Sequence, residues 1–511
     1  MIKPGWARKI RSAAKKMIRQ KKISAYTIVV MIASMCNAQT PKPNNETPAW
    51  PENPPPQWLT YHLAHPGPGD GFPADPNPAY YYKGRYHLHY IYENETGFVY
   101  AHVSSKDMVH WKWHPTVLTP EHTGHGLYSG TGFFTKEGRP AVCYLGPGKP
   151  NRIYIICALD NNLDEWTKPE VIVPTNDTGK EVELEYHDPD LWLMGDTYYA
   201  MNGGKNVQHI MKSKDLKNWK YIGPFFHKDY PESKLGVSRN EDLQCVNTFK
   251  IGNKWMVLGI SHPMGCRYYL GDFQDEQYLP DFHAHMNFAK DGPRQGYFAP
   301  ETLLTPDGRR VMWAWIRGMP LSPNGVQALP RELDLPRDGV LRMKPLRELE
   351  TLRYDKKREE NITVKDGAQY SLKGVTGDAV ELTMTVSAPV PEAFGLHLLG
   401  DEKDGKGGMS IFAGADKEVL TVGNLNAPFQ LGKNEDLTLR LFIDKNLIEV
   451  FANDRQAVSY VHRPVIRKTP NISLFAKGSD LHVRTLATWK MKSIYAKAEQ
   501  DLSRVRLKPR P

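Results

Sequence analysis

A glycine that opens a short strand recurs five times along this chain, at intervals of 54 to 57 residues. Each is usually followed by a basic or polar residue and then by a run of aromatic and aliphatic residues. The segments are GRYHLHYIY from Gly84, GRPAVCYLG from Gly138, GDTYYAMNG from Gly195, GNKWMVLGIS from Gly252 and GRRVMWAWI from Gly308. A fixed period of this length is typical of one supersecondary unit repeated around an axis. The spacing therefore predicts a five-bladed β-propeller.

A second series of residues supports the same period. An aliphatic residue stands three positions before a tryptophan at three places that are 53 to 55 residues apart. The pairs are Met108 and Trp111, Leu163 and Trp166, and Leu216 and Trp219. Ordinary hairpin turns and core aromatics would explain either series alone, but two series in phase favour a repeated unit.

Carboxylates stand just upstream of three of the repeated glycines. They are Asp75 in ADPNP, Asp188 in HDPD, and Glu241 with Asp242 in NEDLQC. Taken singly, each has an ordinary structural explanation, because Asp-Pro is a common turn element and Glu241-Asp242 alone would be a solvated loop pair. The first strand of each propeller blade lines the central channel, however, so residues at matching phase in different blades converge. The offsets to the next glycine are 9, 7 and 11 residues, so we expect the strands that carry these acids to converge on the axis and the acids to meet there.

Three converging carboxyl groups have a specific chemical use. Cleavage of a glycosidic bond with retention needs a carboxylate nucleophile and a protonated carboxyl about 5 to 5.5 Å from it. A third carboxylate stabilises the positive charge of the transition state. Asp75, Asp188 and either Glu241 or Asp242 supply such a set. The pKa of the acid has to be raised, which burial and an ionised neighbour would do.

The chain of 511 residues exceeds what one hydrophobic core usually organises, so a second domain is expected. After the last repeat, alternating stretches such as LTMTVSA and LRLFIDKNLIEVFAN predict an antiparallel β-sandwich. The fold class is thus all-β. The predicted segments are a signal peptide (1–38), a Pro-rich linker (39–57), the propeller as catalytic domain (58–340), a connector (341–358), the β-sandwich (359–492) and a basic C-terminal tail (493–511).

The net charge of +9 comes entirely from the N-terminus, since residues 1–23 carry nine Lys or Arg and no acid. The rest of the chain has 57 basic and 57 acidic residues, which argues against a nucleic-acid partner. A cationic start, an apolar run and a small-residue exit at Cys36-Asn-Ala38 are typical of a secretory signal. We expect cleavage after Ala38, export and no integral membrane span. The alternative is cleavage before Cys36 and a lipid anchor on it.

No metal or cofactor is expected from the sequence. The four cysteines after the leader have no C-x-x-C spacing and are expected to be buried free thiols: Cys143, Cys157, Cys245 and Cys266. The segment DFHAH from Asp281 to His285 has too few ligands for a catalytic metal.

The motifs resemble those of glycoside hydrolase family 32, the invertase, inulinase and levanase group. Tyr61-His62 followed by FPADPNP resembles the family's Y-H-F and W-M-N-D-P-N-G opening, YSGTGFF resembles F-S-G-S, and HDPD resembles R-D-P. LPRELDL and FIDKNLIEVFANDRQAV are similar to the connector and the C-terminal sandwich. The resemblance implies a retaining β-fructosidase that acts on terminal fructosyl or related furanosyl linkages in oligo- or polysaccharides. It makes Asp75 the nucleophile and Asp188 the transition-state stabiliser.

The sequence also departs from the family pattern around the expected sugar pocket. Ala74, Pro78, Ile91 and His187 replace the family's Asn, Gly, Gln and Arg. Polar contacts expected for a fructosyl ring are therefore missing, which argues against specificity for sucrose. A glycosidase for a non-fructose sugar on the same scaffold stays open.

The acid motif departs further, because Gln244 stands where the family's E-C-P-D has its catalytic Glu. A glutamine cannot donate a proton as an acid. We favour Glu241 as the acid/base, for the reach of its side chain, with Asp242 as the alternative. On an uninterrupted strand Asp242 would share a face with Gln244, and a bulge would reverse that parity. A catalytically inactive carbohydrate-binding propeller is the third possibility.

Further residues are predicted to contact the substrate. Glu301 stands in phase with Asp188, and a rim or core hydrogen bond is its alternative role. His187 is either a sugar ligand or a neutral hydrogen-bonded histidine, and the aromatic candidates either stack on sugar or belong to the core. The predicted set is Phe72, Asn77, Ser129, Thr131, His187, Glu301 and Trp313.

Overall fold

The fold is taken from a computed structural model. It describes residues 47–49, 54–287, 296–317, 325–375, 378–400, 409–414, 418–462 and 471–495. The predicted signal peptide with Cys36, most of the predicted linker and most of the C-terminal tail lie outside these ranges.

Five successive antiparallel sheets form the five blades of the predicted propeller. Blade I contains β1 (Pro76–Tyr82), β2 (Arg85–Asn94), β3 (Gly97–Ser105) and β4 (Trp111–Trp113). Blade II contains β5 (Gly130–Phe134), β6 (Pro140–Gly146), β7 (Arg152–Cys157) and β8 (Glu170–Val171). Blade III contains β9 (Pro174–Thr175), which pairs in parallel with β13, and then β10 (Pro189–Met194), β11 (Thr197–Asn202), β12 (His209–Ser213) and β13 (Trp219–Pro224).

The last two blades complete the propeller. Blade IV contains β14 (Gln244–Ile251), β15 (Lys254–Ser261), β16 (Gly265–Gln274) and β17 (Gln277–His285). Blade V contains β18 (Gly296–Leu304), β19 (Arg310–Arg317), β20 (Arg331–Asp334) and β21 (Arg342–Pro345). Two four-residue helices lie in the connections, α1 (Pro120–Thr123) and α2 (Glu232–Leu235).

Two six-stranded sheets follow and form the predicted sandwich. One has the order β22-β33-β24-β29-β30-β31 and the other β23-β32-β25-β26-β27-β28. Their bounds are β22 (Arg353–Val364), β23 (Gln369–Ser371), β24 (Ala379–Val386), β25 (Ala393–Gly400), β26 (Met409–Gly414), β27 (Val419–Val422), β28 (Leu425–Pro428), β29 (Leu437–Asp444), β30 (Leu447–Ala452), β31 (Gln456–Val461), β32 (Asn471–Lys477) and β33 (Leu481–Met491).

The boundary between the two domains differs from the prediction. Blade V extends through β21 to Pro345, beyond residue 340, and β22 begins at Arg353 rather than at residue 359. Only a 3-10 helix, Arg347–Leu352, separates them. The predicted connector is therefore shorter than expected.

The repeated glycines owe their spacing to the backbone of one turn. All five lie in the hairpin between the first two strands of a blade, and their φ angles range from 55° to 83°. Glycine adopts this left-handed region at the lowest cost, because it has no Cβ. The second series lies in the turns that precede β4, β8 and β13, where Met108, Leu163 and Leu216 have φ angles of 60°, 61° and 64°.

One of the hydrophobic clusters spans both domains. Phe442, Leu447 and Phe451 of β29 and β30 belong to the same buried cluster as strands of blades I, IV and V. Buried polar contacts reinforce it, since Asp444 accepts hydrogen bonds from the backbone of Tyr61 and from the ring of His62. Within the described ranges no helix is long and apolar enough to cross a bilayer.

Candidate active site

Four residues at the beginnings of the inner strands form the centre of the site. Asp75, Ser129 and Asp188 directly precede β1, β5 and β10, and Cys245 is the second residue of β14. The Ser129 hydroxyl donates to Asp75 Oδ2 over 2.6 Å. The Cys245 thiol lies 3.8 Å from Asp75 Oδ2 and 3.4 Å from Asp188 Oδ2. The structure thus brings carboxylates of blades I and III to one sulfur atom.

A β-bulge in β14 directs Cys245 toward these carboxylates. The register between β14 and β15 shifts between Gln244 and Asn247, and Cys245 has a φ of 48°. The inner strands of blades I and V carry similar shifts. Bulges of this kind reorient side chains at the rims of sheets, and here they shape the end of the channel that holds the acids.

Burial raises the pKa of both central carboxyl groups. For Asp75, the hydrogen bond from Ser129 and the charge of Arg317 oppose this effect. For Asp188, burial and the neighbouring Asp75 charge raise the pKa to about 6. The two groups therefore titrate as a coupled pair, and holding both ionised is costly below about pH 6.

The side chains of Glu241 and Asp242, the two predicted acids, are not arranged as expected from the sequence. Asp242, which is 6% exposed, accepts a hydrogen bond from Gln244 Nε2 over 2.8 Å. The Glu241 carboxylate instead accepts a hydrogen bond from Ser261 Oγ over 2.5 Å. The bulge lies after Gln244, so residues two apart before it keep a common face. Asp242, and not the favoured Glu241, lies beside Gln244.

Asp242 is held as a carboxylate by His262. Its Oδ2 lies 2.8 Å from the backbone nitrogen and 2.6 Å from Nδ1 of His262. Burial alone would raise the Asp242 pKa, but these hydrogen bonds and the one from Gln244 lower it to about 2. Asp242 is thus ionised at neutral pH and has no proton to give, which counts against the alternative acid as well.

His262 is a site residue that the sequence reasoning missed. It lies in the turn between β15 and β16, its side chain is 49% exposed, and its ring packs edge-on against Phe298 at 6.0 Å. The guanidinium of Arg317 covers the same Phe298 ring at 4.3 Å. The turn sequence SHPMG carries no recognisable motif, so the sequence does not single out His262. Only its position opposite Asp242 in the structure identifies it.

Comparison with known proteins identifies the family of the chain. Residues 65–345 match the profile described as "Glycosyl hydrolases family 32 N-terminal domain", and residues 348–490 match "Glycosyl hydrolases family 32 C terminal". The chain belongs to glycosyl hydrolase family 32. The family resemblance seen in the sequence is confirmed, and with it the assignment as a glycosyl hydrolase.

Relatives of this family 32 chain have names that refer to fructose-containing sugars. The chain is 27% identical over 480 residues to a levanase of Bacillus subtilis, covering 82% of this chain and 69% of that protein. It is 24% identical over 471 residues to a raffinose invertase of Escherichia coli, covering 84% and 94%. In fold it is similar to fructan 1-exohydrolase IIa from Cichorium intybus, with a TM-score of 0.74, 18% identity and coverage of 86% and 98%.

Two further predicted substrate contacts of the family 32 chain reach its surface. Phe72 is 51% exposed and packs edge-on against Trp315 at 5.1 Å. His187 precedes Asp188 and keeps 21% of its side chain exposed, while its backbone nitrogen donates to Asn202 Oδ1. Both side chains are therefore accessible to a ligand.

Other residues predicted to contact the substrate are buried in the core of the family 32 propeller. Glu301 is fully buried and accepts hydrogen bonds from Ala79 N and Asn247 Nδ2, at 3.1 and 2.9 Å. Thr131 Oγ1 also contacts it, so Glu301 links four blades. Burial raises its pKa to about 8. Trp313 is 1% exposed, and Asn77 is fully buried with its Oδ1 facing the Gly130 nitrogen.

A cavity of about 510 Å³ lies at the opposite end of the inner strands. Later residues of β5, β10 and β14 line it, among them Asp190 and Thr248, and Trp255 of β15 joins them. Asp75, Asp188 and His262 are not among its walls. The carboxylate site of this family 32 chain is therefore separate from this cavity.

Proposed function

We propose that this glycosyl hydrolase cleaves terminal fructosyl, or related furanosyl, linkages in oligo- or polysaccharides with retention of configuration. The observation that carries the proposal is the meeting of Asp75 and Asp188 at the Cys245 thiol, at 3.8 and 3.4 Å. The names of the relatives, a levanase and a raffinose invertase, support a fructoside as substrate.

Asp75 has the features of a nucleophile. Its Oδ2 accepts the Ser129 hydrogen bond, whereas Oδ1 is buried without a partner in the described structure. Oδ1 attacks the anomeric carbon as the glycosidic bond breaks, which gives a covalent glycosyl-enzyme. Ionised Asp188 stabilises the positive charge that develops on the sugar ring. Water then breaks the ester on the same face, so configuration is retained.

The test compares the enzyme with two substitutions on a panel of sucrose, inulin, levan and unrelated oligosaccharides. We expect release of fructose by the wild type and a fall of kcat/KM by about 10³-fold or more in Asp75→Asn. The matched control is Asp196→Asn, which changes a carboxylate that is 78% exposed at a hairpin of blade III. NMR of the first product formed should show the same anomeric configuration as in the substrate.

Two outcomes would contradict the proposal. Turnover that survives Asp75→Asn would exclude the nucleophile, and an inverted first product would exclude retention. Binding of the sugars without turnover by the wild type would favour the carbohydrate-binding alternative, which the glutamine at position 244 motivates.

We also propose that the enzyme is exported. Support comes from the cationic and apolar segments within residues 1–38. N-terminal sequencing of protein from the culture fractions should give Gln39 as the first residue. A blocked, lipid-modified Cys36 would favour anchoring instead, and a mature chain that retains Met1 would contradict export by this route.

A further inference from the structure

We propose that His262, oriented by Asp242, is the general acid and base of this enzyme in place of the family's glutamic acid. The inference rests on the proposed function, because it assigns the proton transfers of the reaction that Asp75 begins. It requires that the imidazole be near the nucleophile, held in one orientation and accessible to the leaving group.

The imidazole lies beside the side chain that replaces the family's acid. Gln244 Nε2 is 3.4 Å from His262 Nδ1 and 2.8 Å from Asp242 Oδ1. The next residue, Cys245, contacts both central carboxylates. His262 is therefore on the same side of the inner strand as the position from which a family acid would act.

Asp242 determines which nitrogen of the ring exchanges protons. Because its carboxylate lies 2.6 Å from Nδ1, that nitrogen keeps its hydrogen and Nε2 becomes the basic one. Within the described ranges Nε2 has no hydrogen-bond partner. The ring is half exposed, whereas Asp242 is 6% exposed. A buried carboxylate thus orients a half-exposed imidazole through Nδ1 and leaves Nε2 for proton exchange, as in Asp-His pairs that act in hydrolysis.

The charged groups around the ring are mostly carboxylates. Asp242 contacts the ring, and Asp75 and Asp188 interact with it electrostatically from the inner strands of blades I and III. Arg317 on β19 opposes them from across the Phe298 ring. Glu241 is hydrogen-bonded to Ser261, the residue before His262. Carboxylates therefore outnumber cations around the ring.

The proton transfers balance over the two steps. As Asp75 Oδ1 forms its bond to the anomeric carbon, the glycosidic C–O bond breaks and its oxygen takes the proton from Nε2. The leaving alcohol departs and His262 is neutral. Nε2 then takes one proton from water, whose oxygen bonds to the anomeric carbon. The ester bond breaks, Asp75 regains its charge, and His262 is again an imidazolium.

The decisive experiment varies the leaving group. Its substrates are the oligosaccharide that the wild type hydrolyses fastest and β-D-fructosyl fluoride, whose fluoride leaves with little help from an acid. We expect His262→Ala to lower kcat/KM for the oligosaccharide by about 10²- to 10⁴-fold. For the fluoride we expect less than about a tenfold loss. Azide, which needs no general base, should accelerate turnover of the fluoride by His262→Ala and yield fructosyl azide, without accelerating the wild type.

His110→Ala is the matched control, because its ring makes a similar contact, 2.8 Å from Nδ1 to Asp107 Oδ2, in an outer turn of blade I. It should leave both reactions unchanged. Asp242→Asn should cause a smaller loss of kcat/KM for the oligosaccharide than His262→Ala, since it keeps the His262 ring but not the carboxylate that orients it.

Equal losses on both substrates, or full oligosaccharide activity in His262→Ala, would overturn the assignment. In that case Asp75-dependent turnover by the wild type would still stand. Failure of the proposed function looks different, because then neither substrate would react in an Asp75-dependent way even in the wild type.

Discussion

The buried cluster that joins the two domains makes the stability of the protein depend on pH. His62 lies between Asp444 and Glu449, with its ring nitrogens 2.9 and 3.2 Å from their carboxylates, and all three side chains are fully buried. Burial alone would lower the pKa of His62, but its hydrogen bonds to the two carboxylates raise it from 6.5 to about 9. His62 is therefore charged in the folded protein at neutral pH.

The size of the effect follows from linkage. A folded-state pKa near 9 against 6.5 in the unfolded chain corresponds to about 3 kcal/mol, at 1.36 kcal/mol for each tenfold change in proton affinity. The folded state holds the proton more tightly. This stabilisation is thus fully present below pH 6.5 and is lost as the pH rises through 9.

Urea unfolding of the wild type and of His62→Gln at pH 6 and pH 9.5 measures it. At pH 6 the variant should be less stable by at least about 3 kcal/mol, because both carboxylates lose a charged partner. The difference in the free energy of unfolding between the wild type and the variant should be smaller by about 3 kcal/mol at pH 9.5 than at pH 6. The control is His397→Gln, a half-buried histidine of the sandwich that lies against Ser410. A gap of constant size at both pH values would refute the reasoning.

Three further outcomes are expected. Glu301→Ala should lower the free energy of unfolding by about 3 to 5 kcal/mol, because it opens a cavity and leaves buried donors unpaired; unfolding at the wild-type urea concentration would contradict the structural role. Ser129→Ala should raise the pKa of Asp75 and move the acid limb of the kcat/KM profile upward by about one pH unit or more; an unmoved limb would contradict this. Gly252→Ala should destabilise more than Gly195→Ala, since both have positive φ but only at Gly252 would a Cβ lie 2.4 Å from a backbone oxygen; equal urea midpoints would contradict it.

The propeller could be predicted from the sequence because its repeat depends on local backbone geometry. A glycine in the left-handed region is needed at the same turn of every blade, whatever packs around it. The end of blade V could not be placed in the same way. Its strands β20 and β21 have four residues each, RELD and RMKP, too short to show a clear alternation. Their hydrogen-bonded pairing within blade V, and not the local pattern of apolar residues, defines these two strands.

The central carboxylates were also accessible to sequence reasoning. Asp75 and Asp188 stand nine and seven residues before the repeated glycines Gly84 and Gly195, so the propeller implies that the strands carrying them converge. The roles of Glu301 and Trp313 could not be predicted from the sequence. The spacing from the repeated glycine indicates which strand a residue belongs to, but not how deep in the channel the residue lies. Both are buried in the structure, at 0% and 1% exposure.

The position of one bulge decides which groups surround the nucleophile. After the bulge, Thr248 pairs with Val257, and an uninterrupted ladder would place Pro263 opposite Asp242. The extra residue in β14 shifts the register, so that Gln244 pairs with Ile260 and His262 faces Asp242. The residue at the left-handed position is Cys245, not a glycine, so the sequence gives no sign of the shift. Because the same bulge directs the Cys245 thiol between Asp75 and Asp188, the contacts of the nucleophile and of the proposed acid have one structural cause.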